Sequence, residues 1–269
     1  HVMARRQRQM CIRDSSDTGA IEIAMWNLLG SRPVEILAWE VFGNDWKKDI
    51  LEQLKISDSN THVADFGKIP DLSKLNFNND VIFTWNGTTS GVRVPNASWI
   101  PTEREGLVLC DATSAVFAQN VEWEKLDVIT FSWQKVLGGE AAHGILVLSP
   151  KAIEHLEKFT PSWPIPKIFR LTKSKKVIEG IFKGETLNTP SMLCVEDYLD
   201  ALKWVREIGG LEACIKRAND SFNFINAWVA NSSSIDFLCQ EESNRSNTSV
   251  CLKFSCLLYT SPSPRDNGR

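Results

Sequence analysis

The sequence predicts an α/β fold in which a mostly parallel sheet forms the middle of three layers. Six short apolar segments, separated by helical patterns or long connections, are typical of the strands of such a sheet. Polar residues follow several of these segments directly, at the points where carboxyl ends of parallel strands meet at one edge. With 269 residues, of which 43% are hydrophobic, the chain can bury a large core.

The chain opens with a helix and then a strand. Ser16 or Asp17 can cap a helix over residues 20–29, and Gly30 is a typical residue to end it. The apolar segment 34–39 then predicts a buried strand.

A second helix is predicted over residues 45–54, after a loop formed by Phe42 and Gly43. The next predicted strands are short and apolar, and turn residues separate them. They cover residues 62–64, 81–85, 107–110, 128–131 and 144–148. Two further helices are predicted over 191–208 and from Gly210 to about residue 230, on either side of a Gly-Gly break.

The two ends of the chain differ from the middle. Residues 1–15 are basic and aperiodic, and residues 255–269 match no recognisable fold element, so both are expected to be non-native or disordered and outside the fold. The alternative for the first segment is a basic arm that binds nucleic acid, which the acidic remainder disfavours.

Composition excludes several classes of function. A net charge of −3 and a pI near 5.9 give no reason to expect nucleic acid or an anionic membrane as a partner. No apolar run reaches the roughly twenty residues of a membrane-spanning helix. The seven cysteines are scattered and contain no C-x-x-C pair, so we interpret them as reduced thiols of a cytoplasmic protein without a metal site.

Lys135 is the first candidate for chemistry. It follows the predicted strand 128–131 and precedes Gly138 and Gly139, so it lies where a strand meets a flexible loop. An amine that loses solvent there can bind a carbonyl carbon as a Schiff base. The alternative is an ordinary surface lysine at the end of a strand.

Other polar residues are expected at the same edge of the sheet. Thr88 follows one predicted strand and Asp111 follows another, so a parallel sheet brings both close to Lys135. Asp111 can pair with a protonated ring nitrogen, and Thr88 can hydrogen-bond a ring oxygen. The alternatives are a surface strand end for Asp111 and turn chemistry for Thr88.

The start of the first helix is a candidate phosphate site. Residues 16–20, S-D-T-G-A, offer hydroxyl groups and backbone N–H groups, and the helix dipole favours negative charge there. Because a carboxylate beside a phosphate is unfavourable, Asp17 is expected to act as the N-cap. Capping is also the alternative role for Thr18.

Residues 16–253 resemble the phosphoserine aminotransferases, a family of class V, fold-type I enzymes that depend on pyridoxal 5′-phosphate (PLP). The motifs occur in the order of the family. They are S-D-T-G-A at 16–20, W-N-G-T-T-S-G-V-R at 85–93, C-D-A-T-S-A at 110–115, S-W-Q-K-V-L-G-G-E-A-A-H-G at 132–144 and F-K-G-E-T-L-N-T-P-S at 182–191.

The resemblance implies roles for individual residues. Lys135 would hold the cofactor as a Schiff base and move a proton between the substrate Cα and the cofactor, and Asp111 would pair with the pyridine nitrogen. Trp46 would stack on the ring, although a core-packing role is the alternative. Thr88 would contact the ring hydroxyl. The residues expected around the phosphate are Asp17, Thr18 and Gln134.

The resemblance also implies a homodimer with shared active sites. Asn188 and Thr189 match residues that reach the cofactor phosphate of the partner subunit in the family. The implied division of the chain is a PLP-binding large domain over 16–208 and part of a smaller α+β C-terminal domain over 209–254.

Segments that would recognise the substrate in the family find no counterpart in this sequence. Arg93 and Arg170 are candidates for binding a substrate carboxylate, with surface salt bridges as the alternative. His143 is interpreted as a hydrogen-bonded loop histidine and not as a base.

The implied reaction transfers an amino group from glutamate to 3-phosphohydroxypyruvate, giving O-phosphoserine and 2-oxoglutarate in serine biosynthesis. One alternative is another fold-type I aminotransferase, such as an alanine–glyoxylate transaminase. A second alternative is a truncated PLP-binding fragment without turnover.

Overall fold

The structure, a computed structural model, describes residues 8–13 and 16–255. The α-helices of these residues are α1 (Asp17–Leu28), α2 (Val41–Lys48), α3 (Pro150–Lys158), α4 (Met192–Glu207) and α5 (Gly210–Ala230). The strands are β1 (Gln9–Arg13), β2 (Val34–Ala38), β3 (Ser59–Val63), β4 (Asp80–Thr84), β5 (Asn86–Gly87), β6 (Val92–Arg93), β7 (Val108–Asp111), β8 (Val128–Phe131), β9 (Gly144–Leu148), β10 (Thr172–Lys173), β11 (Lys176–Val177), β12 (Ile235–Phe237) and β13 (Leu252–Phe254).

Short helical segments complete the secondary structure. A π-helical segment, Asp49–Gln53, continues α2. The 3-10 segments are Leu72–Lys74, Trp123–Lys125, Lys167–Phe169, Glu179–Lys183 and Glu242–Asn244.

The central sheet has seven strands in the order β1-β9-β8-β7-β4-β2-β3. Strands β3, β2, β4, β7 and β8 run parallel to one another, whereas β9 pairs antiparallel with both β8 and β1. The prediction of a mostly parallel sheet is therefore confirmed, and the carboxyl ends of β4, β7 and β8 meet at one edge.

Alternation along the strands produces the layers. Ile82, Leu109 and Val128 belong to the apolar cluster that also contains α1, while the residues that follow them in the chain belong to a second cluster on the opposite face. Successive strand side chains point to opposite faces, so strands that are apolar throughout must be covered on both sides. Each fully buried aliphatic side chain contributes roughly 1.5–3 kcal/mol.

The edge strand β1 lies inside segment 1–15, which the sequence analysis placed outside the fold, and for residues 9–13 that expectation was wrong. Met10 pairs with Val147, and Cys11 is buried in the cluster that contains α1. A short strand at a sheet edge is held by backbone pairing with its neighbour, so it needs no apolar periodicity of its own. The remaining residues of that segment, except Arg8, and residues 256–269 lie outside the described ranges.

Helix α1 begins three residues earlier than predicted. Ser16 is the N-cap residue, and its carbonyl oxygen accepts a hydrogen bond from the amide of Ala20 at 3.3 Å. Gly30 follows the end of the helix with φ +102°, and a Cβ atom there would lie 2.7 Å from the Trp163 ring. Glycine is therefore required both by backbone conformation and by packing.

Helix α2 begins at Val41, so the predicted loop at Phe42 and Gly43 was wrong. Glu40 is the N-cap, and its carboxylate accepts a hydrogen bond from the amide of Gly43 at 2.5 Å. This cap satisfies a backbone donor that a helix start otherwise leaves unpaired. As a result Phe42 lies in the first helical turn, close to the carboxyl edge of the sheet.

Candidate active site

A cleft at the carboxyl edge of the sheet contains seven of the nine predicted site residues. They come from the start of α1, from α2 and from the loops after β4, β7 and β8, so distant parts of the sequence meet there. The seven residues are Asp17, Thr18, Trp46, Thr88, Asp111, Gln134 and Lys135. The lining also includes Ser16, from the predicted phosphate segment 16–20. It includes as well five residues that were not predicted to belong to the site: Phe42, Thr84, Asn86, Thr113 and Ser114.

A polar row crosses three adjacent strands beside the cleft, and two of its residues, Thr84 and Asp111, line the cleft. Thr84 pairs in register with Asp111, and Asp111 pairs with Thr130. Each lies two residues after an apolar residue of the cluster that contains α1, so all three side chains point toward that helix. The face of the sheet that packs against α1 is therefore apolar along the strands and polar at their carboxyl ends.

Asp111 is buried, with 9% of its surface exposed. Its Oδ1 accepts a hydrogen bond from the backbone amide of Thr113 at 3.1 Å. An ionised carboxylate in this position can accept a hydrogen bond from a protonated ring nitrogen in the cleft.

Asp17 does not act as an N-cap, contrary to the sequence analysis. It is the first residue of α1, and its buried carboxyl group faces Asp111, Thr113 and Thr130. Burial, and after it the negative charge of Asp111, raises the pKa of Asp17 well above its usual range. Its Oδ1 has no hydrogen-bond partner among the described residues.

The first turn of α1 presents backbone N–H groups to the same cleft. Thr18 is exposed there, and Ser16 lies beside it at the N-cap. The first amides of a helix have no partner within the helix, and the helix dipole attracts negative charge to them. This end of α1 therefore suits a phosphate group.

The loop after β4 holds Thr88 in a defined place. The Thr88 hydroxyl lies 3.5 Å from that of Ser114, and the Asn86 side-chain amide donates to Ser114 at 2.9 Å. A Cβ atom on Gly87 would lie 2.6 Å from Nε1 of Trp39, the residue that follows β2, so only glycine fits at this position.

Glu40 connects that loop to α2. Its side chain is fully buried, and its Oε2 lies 3.5 Å from the Thr89 hydroxyl. The same hydroxyl accepts a hydrogen bond from the amide of Val41 at 3.0 Å. Burial is the main reason that the pKa of Glu40 is raised from 4.5 to about 7, and the charge of Asp111 adds to the effect. Glu40 was not predicted as a site residue, because an acid before a helix suggests only a cap.

Lys135 lies in a tight turn directly after β8. Gly138 has φ +71° and donates its amide to the Lys135 carbonyl at 3.1 Å, and a Cβ atom on Gly139 would lie 2.3 Å from Trp133 Cδ1. The two glycines thus allow the turn, as the sequence suggested. The Lys135 side chain is exposed, so the expected loss of solvent is not provided by the folded chain alone.

Two aromatic residues of α2 line the cleft. Trp46 is only 4% exposed and belongs to the apolar cluster of α1, as in the core-packing alternative, whereas Phe42, one turn earlier, is 41% exposed. Phe42 therefore offers more free ring surface than Trp46. Phe42 was not predicted to line the cleft, because it was expected in a loop.

Asn188 and Thr189 are not brought into the cleft. Both are exposed, in the segment between the 3-10 segment Glu179–Lys183 and α4. Their expected contact with the cofactor of a second subunit stays a prediction.

The two candidate arginines form no ion pair with any described residue, so the surface salt bridges considered above are not found. Burial lowers the pKa of Arg93, and its Nε has no partner among the described residues, whereas Arg170 donates to the Ile165 carbonyl at 3.0 Å. His143 packs against Trp133, and neither ring nitrogen has a hydrogen-bond partner in the part of the chain that the structure describes, so its predicted hydrogen bonding was wrong.

The described residues contain no group of three or more histidine, cysteine or acidic side chains that could hold a metal ion. No described helix combines the length and the apolar character needed to cross a membrane. The six described cysteines are free thiols.

Comparison with protein families gives a match to Aminotransferase class-V over residues 69–257. The phosphoserine aminotransferase of Methanosarcina barkeri is 57% identical over 239 residues, which cover 89% of this chain. The chain spans 65% of the length of that relative.

Solved structures share the fold at low sequence identity. A phosphoserine aminotransferase from Cytophaga hutchinsonii aligns with a TM-score of 0.76 at 20% identity, covering 89% of this chain and 66% of its own. An alanine–glyoxylate aminotransferase from Nostoc sp. aligns with a TM-score of 0.71 at 16% identity, covering 88% of this chain and 64% of its own. The fold is therefore common to aminotransferases whose names give different substrates.

Proposed function

The chain belongs to the class-V aminotransferase family, and from that premise we propose that it is the PLP-binding part of a phosphoserine aminotransferase. One observation carries the proposal: the cleft brings together an amine at Lys135, an acid at Asp111 and the N-terminus of α1. These are the groups needed to hold an aldehyde carbon, a pyridine nitrogen and a phosphate.

The residues of the cleft fit the cofactor chemically. Several buried polar atoms beside the cleft have no partner among the described residues, including Asp17 Oδ1, Thr84 Oγ1 and Thr113 Oγ1. Buried polar groups normally find a partner, so unpaired ones around a cleft indicate a place for a polar ligand. Thr88 and Ser114 would bind ring oxygen, while Thr18, Gln134 and the first amides of α1 would bind phosphate.

PLP, when bound, supplies an electron-accepting ring that stabilises negative charge at the substrate Cα. Asp111 would accept a hydrogen bond from the pyridine nitrogen and keep that nitrogen protonated. Lys135 Nζ would hold the cofactor and carry a proton to and from the substrate Cα. Phe42, with Trp46 behind it, would form the apolar wall against the ring.

The proposed substrates follow the name of the Methanosarcina relative. Glutamate would donate the amino group and 3-phosphohydroxypyruvate would accept it, giving 2-oxoglutarate and O-phosphoserine for serine biosynthesis. We further propose a homodimer in the cytoplasm, in which the exposed Asn188 and Thr189 reach the cofactor phosphate of a second copy.

Borohydride labelling tests the cofactor proposal directly. Protein incubated with PLP and then reduced should carry the cofactor on Lys135 Nζ, as read by peptide mass spectrometry. Lys135→Ala should abolish the label and lower amino transfer by about 10³-fold or more, whereas Lys158→Ala, an exposed lysine in an ion pair, should change neither. A label on another lysine would overturn the assignment.

Two other functions make different predictions. Another aminotransferase of the same fold, such as an alanine–glyoxylate enzyme, should prefer a different oxo acid, so assays with several oxo acids distinguish it. A cofactor-binding fragment without turnover should take the borohydride label on Lys135 but transfer no amino group from glutamate.

A further inference from the structure

The feature that the proposed function leaves unexplained is the second buried acid of the cleft, Asp17. Asp17 is 5% exposed, and its carboxyl group faces Asp111, which is 9% exposed. The two acids come from different elements, the first turn of α1 and the end of β7. Packing α1 onto the sheet therefore forces two carboxyl groups together.

No cation in the described part of the chain forms an ion pair with either acid. Lys135 lines the same cleft but is exposed at its mouth. Two like charges that are buried together without a counter-ion are strongly unfavourable, so such a pair retains a proton.

The surroundings decide which acid holds that proton. Asp111 Oδ1 already accepts an amide hydrogen bond from Thr113, the kind of bond that is strongest to a carboxylate. Asp17 Oδ1 has no partner among the described residues, and an unpaired buried carboxylate oxygen favours the neutral form. The α1 dipole favours charge on Asp17, but this effect is smaller than the cost of a second buried anion.

We propose that Asp17 is a neutral carboxylic acid whose O–H donates a hydrogen bond to the Asp111 carboxylate, so that Asp17 is a positioning residue for Asp111. The proton stays on Asp17 and no bond other than this hydrogen bond forms. This positioning role of Asp17 rests on the proposed function, in which Asp111 accepts a hydrogen bond from the pyridine nitrogen.

The neutral state also removes a conflict at the start of α1. An ionised Asp17 would repel a phosphate bound at the first amides of the helix, whereas a neutral one would not. The same acid can therefore share the helix N-terminus with a dianionic group. This neutrality should fail at alkaline pH, because Asp17 then ionises beside Asp111.

Infrared spectroscopy of the protein without cofactor tests the pair itself. We make the measurement in a Glu40→Gln background, because Glu40, with a pKa of about 7, would add a neutral-acid band of its own. There we expect one C=O stretch of a neutral carboxylic acid that is lost in Asp17→Asn and shifted in Asp111→Asn, which changes the acceptor of its hydrogen bond. The control Asp45→Asn removes an exposed acid of α2 and should leave the band unchanged. A band that survives unchanged in Asp17→Asn would overturn the proposal.

Binding of pyridoxine 5′-phosphate, which lacks the aldehyde and so does not need Lys135, tests the positioning role. By calorimetry, Asp17→Asn should bind within about threefold of the wild type at neutral pH and should not lose affinity at alkaline pH as the wild type does. Asp17→Ala should bind about tenfold more weakly or worse. Equal losses in both variants would overturn a neutral donor at this position.

The two experiments separate the inference from the proposed function. If no variant and no wild-type protein binds the pyridoxine phosphate while the infrared band behaves as expected, the acid pair stands and the cofactor proposal fails. If the wild type binds it and the band is not that of Asp17, the proton assignment fails and the cofactor proposal stands.

Discussion

Buried acids lie at both ends of the parallel strands, at the amino ends (the amino edge) and at the carboxyl ends (the carboxyl edge), but they are paired in different ways. At the amino edge, Asp127 accepts from Arg104 at 2.7 Å, from the amide of Val108 at 3.0 Å and from the Ser149 hydroxyl at 2.9 Å. At the carboxyl edge, Asp17 faces another acid and has an oxygen without a partner in the described chain.

A second acid near the amino edge follows the same rule. Glu35 is 1% exposed, and it accepts hydrogen bonds from the side chains of Asn60 and Asn79 at 2.8 and 2.6 Å and contacts His62 at 2.5 Å. Fully bonded buried acids hold elements together, whereas incompletely bonded ones lower stability and are retained where a ligand can complete them.

Asp80 at the amino edge also has an oxygen without a described partner, Oδ2, but its Oδ1 forms an ion pair with Arg32 at 3.4 Å, whereas Asp17 forms none with a described residue. This contrast supports the carboxyl edge as the place of the proposed site.

The largest loss of stability is expected from removing a buried acid at the amino edge. Asp127→Ala would leave the Arg104 guanidinium, which is 6% exposed, buried without its acid, at a cost of about 3–5 kcal/mol in the free energy of unfolding. Asp111→Asn at the other edge should cost much less, because the amide keeps an acceptor oxygen for the Asp17 O–H and leaves no buried charge without a partner. Urea unfolding of both variants measures the difference, and equal losses would contradict the comparison.

A smaller effect, dependent on pH, is expected at Glu40. Its pKa in the folded protein is about 7, above the ordinary 4.5, so its contribution to stability is fully present below pH 4.5 and is lost as pH rises through 7. The loss is at most on the order of 3 kcal/mol. Glu40→Gln keeps an acceptor for the Gly43 amide and should remove this part of the pH dependence.

Unfolding free energies measured at a series of pH values check the Glu40 prediction. The groups that face Glu40 are the Asp111 carboxylate, the amides of Phe42 and Gly43, and Thr89, and all of them remain in the variant. Glu52→Gln, an exposed acid of the π-helical segment after α2, is the matched control and should keep the wild-type pH profile. Identical profiles for Glu40→Gln and the wild type would show that Glu40 is not the group responsible.

The smallest effect is expected at Phe42, in the proposed apolar wall of the cleft. Phe42→Ala should weaken PLP binding by about 0.5–1.5 kcal/mol through lost ring contact, roughly 2- to 10-fold, with little change in stability because Phe42 is already 41% exposed. Val41→Ala, at an exposed apolar neighbour, should not change affinity. If Trp46→Phe weakens binding and Phe42→Ala does not, Trp46 is the ring that contacts the cofactor.

Local patterns were sufficient for much of the sheet. Strands β8 and β9 begin and end at the predicted residues, because short apolar runs bounded by polar or glycine residues identify a buried strand. Parallel strand order also predicted that Asp111 and Lys135 share an edge. The start of α2 was missed because its cap depends on where the Glu40 side chain can reach.

The sequence by itself determined which residues could supply an amine, an acid and a phosphate site, because residue type and position after an apolar strand are local properties. Only the tertiary structure decided that Asp17 turns toward Asp111, that Phe42 faces the cleft and that residues 9–13 complete the sheet. Those outcomes depend on packing between segments far apart in the chain, and no local pattern encodes the distance between two buried side chains.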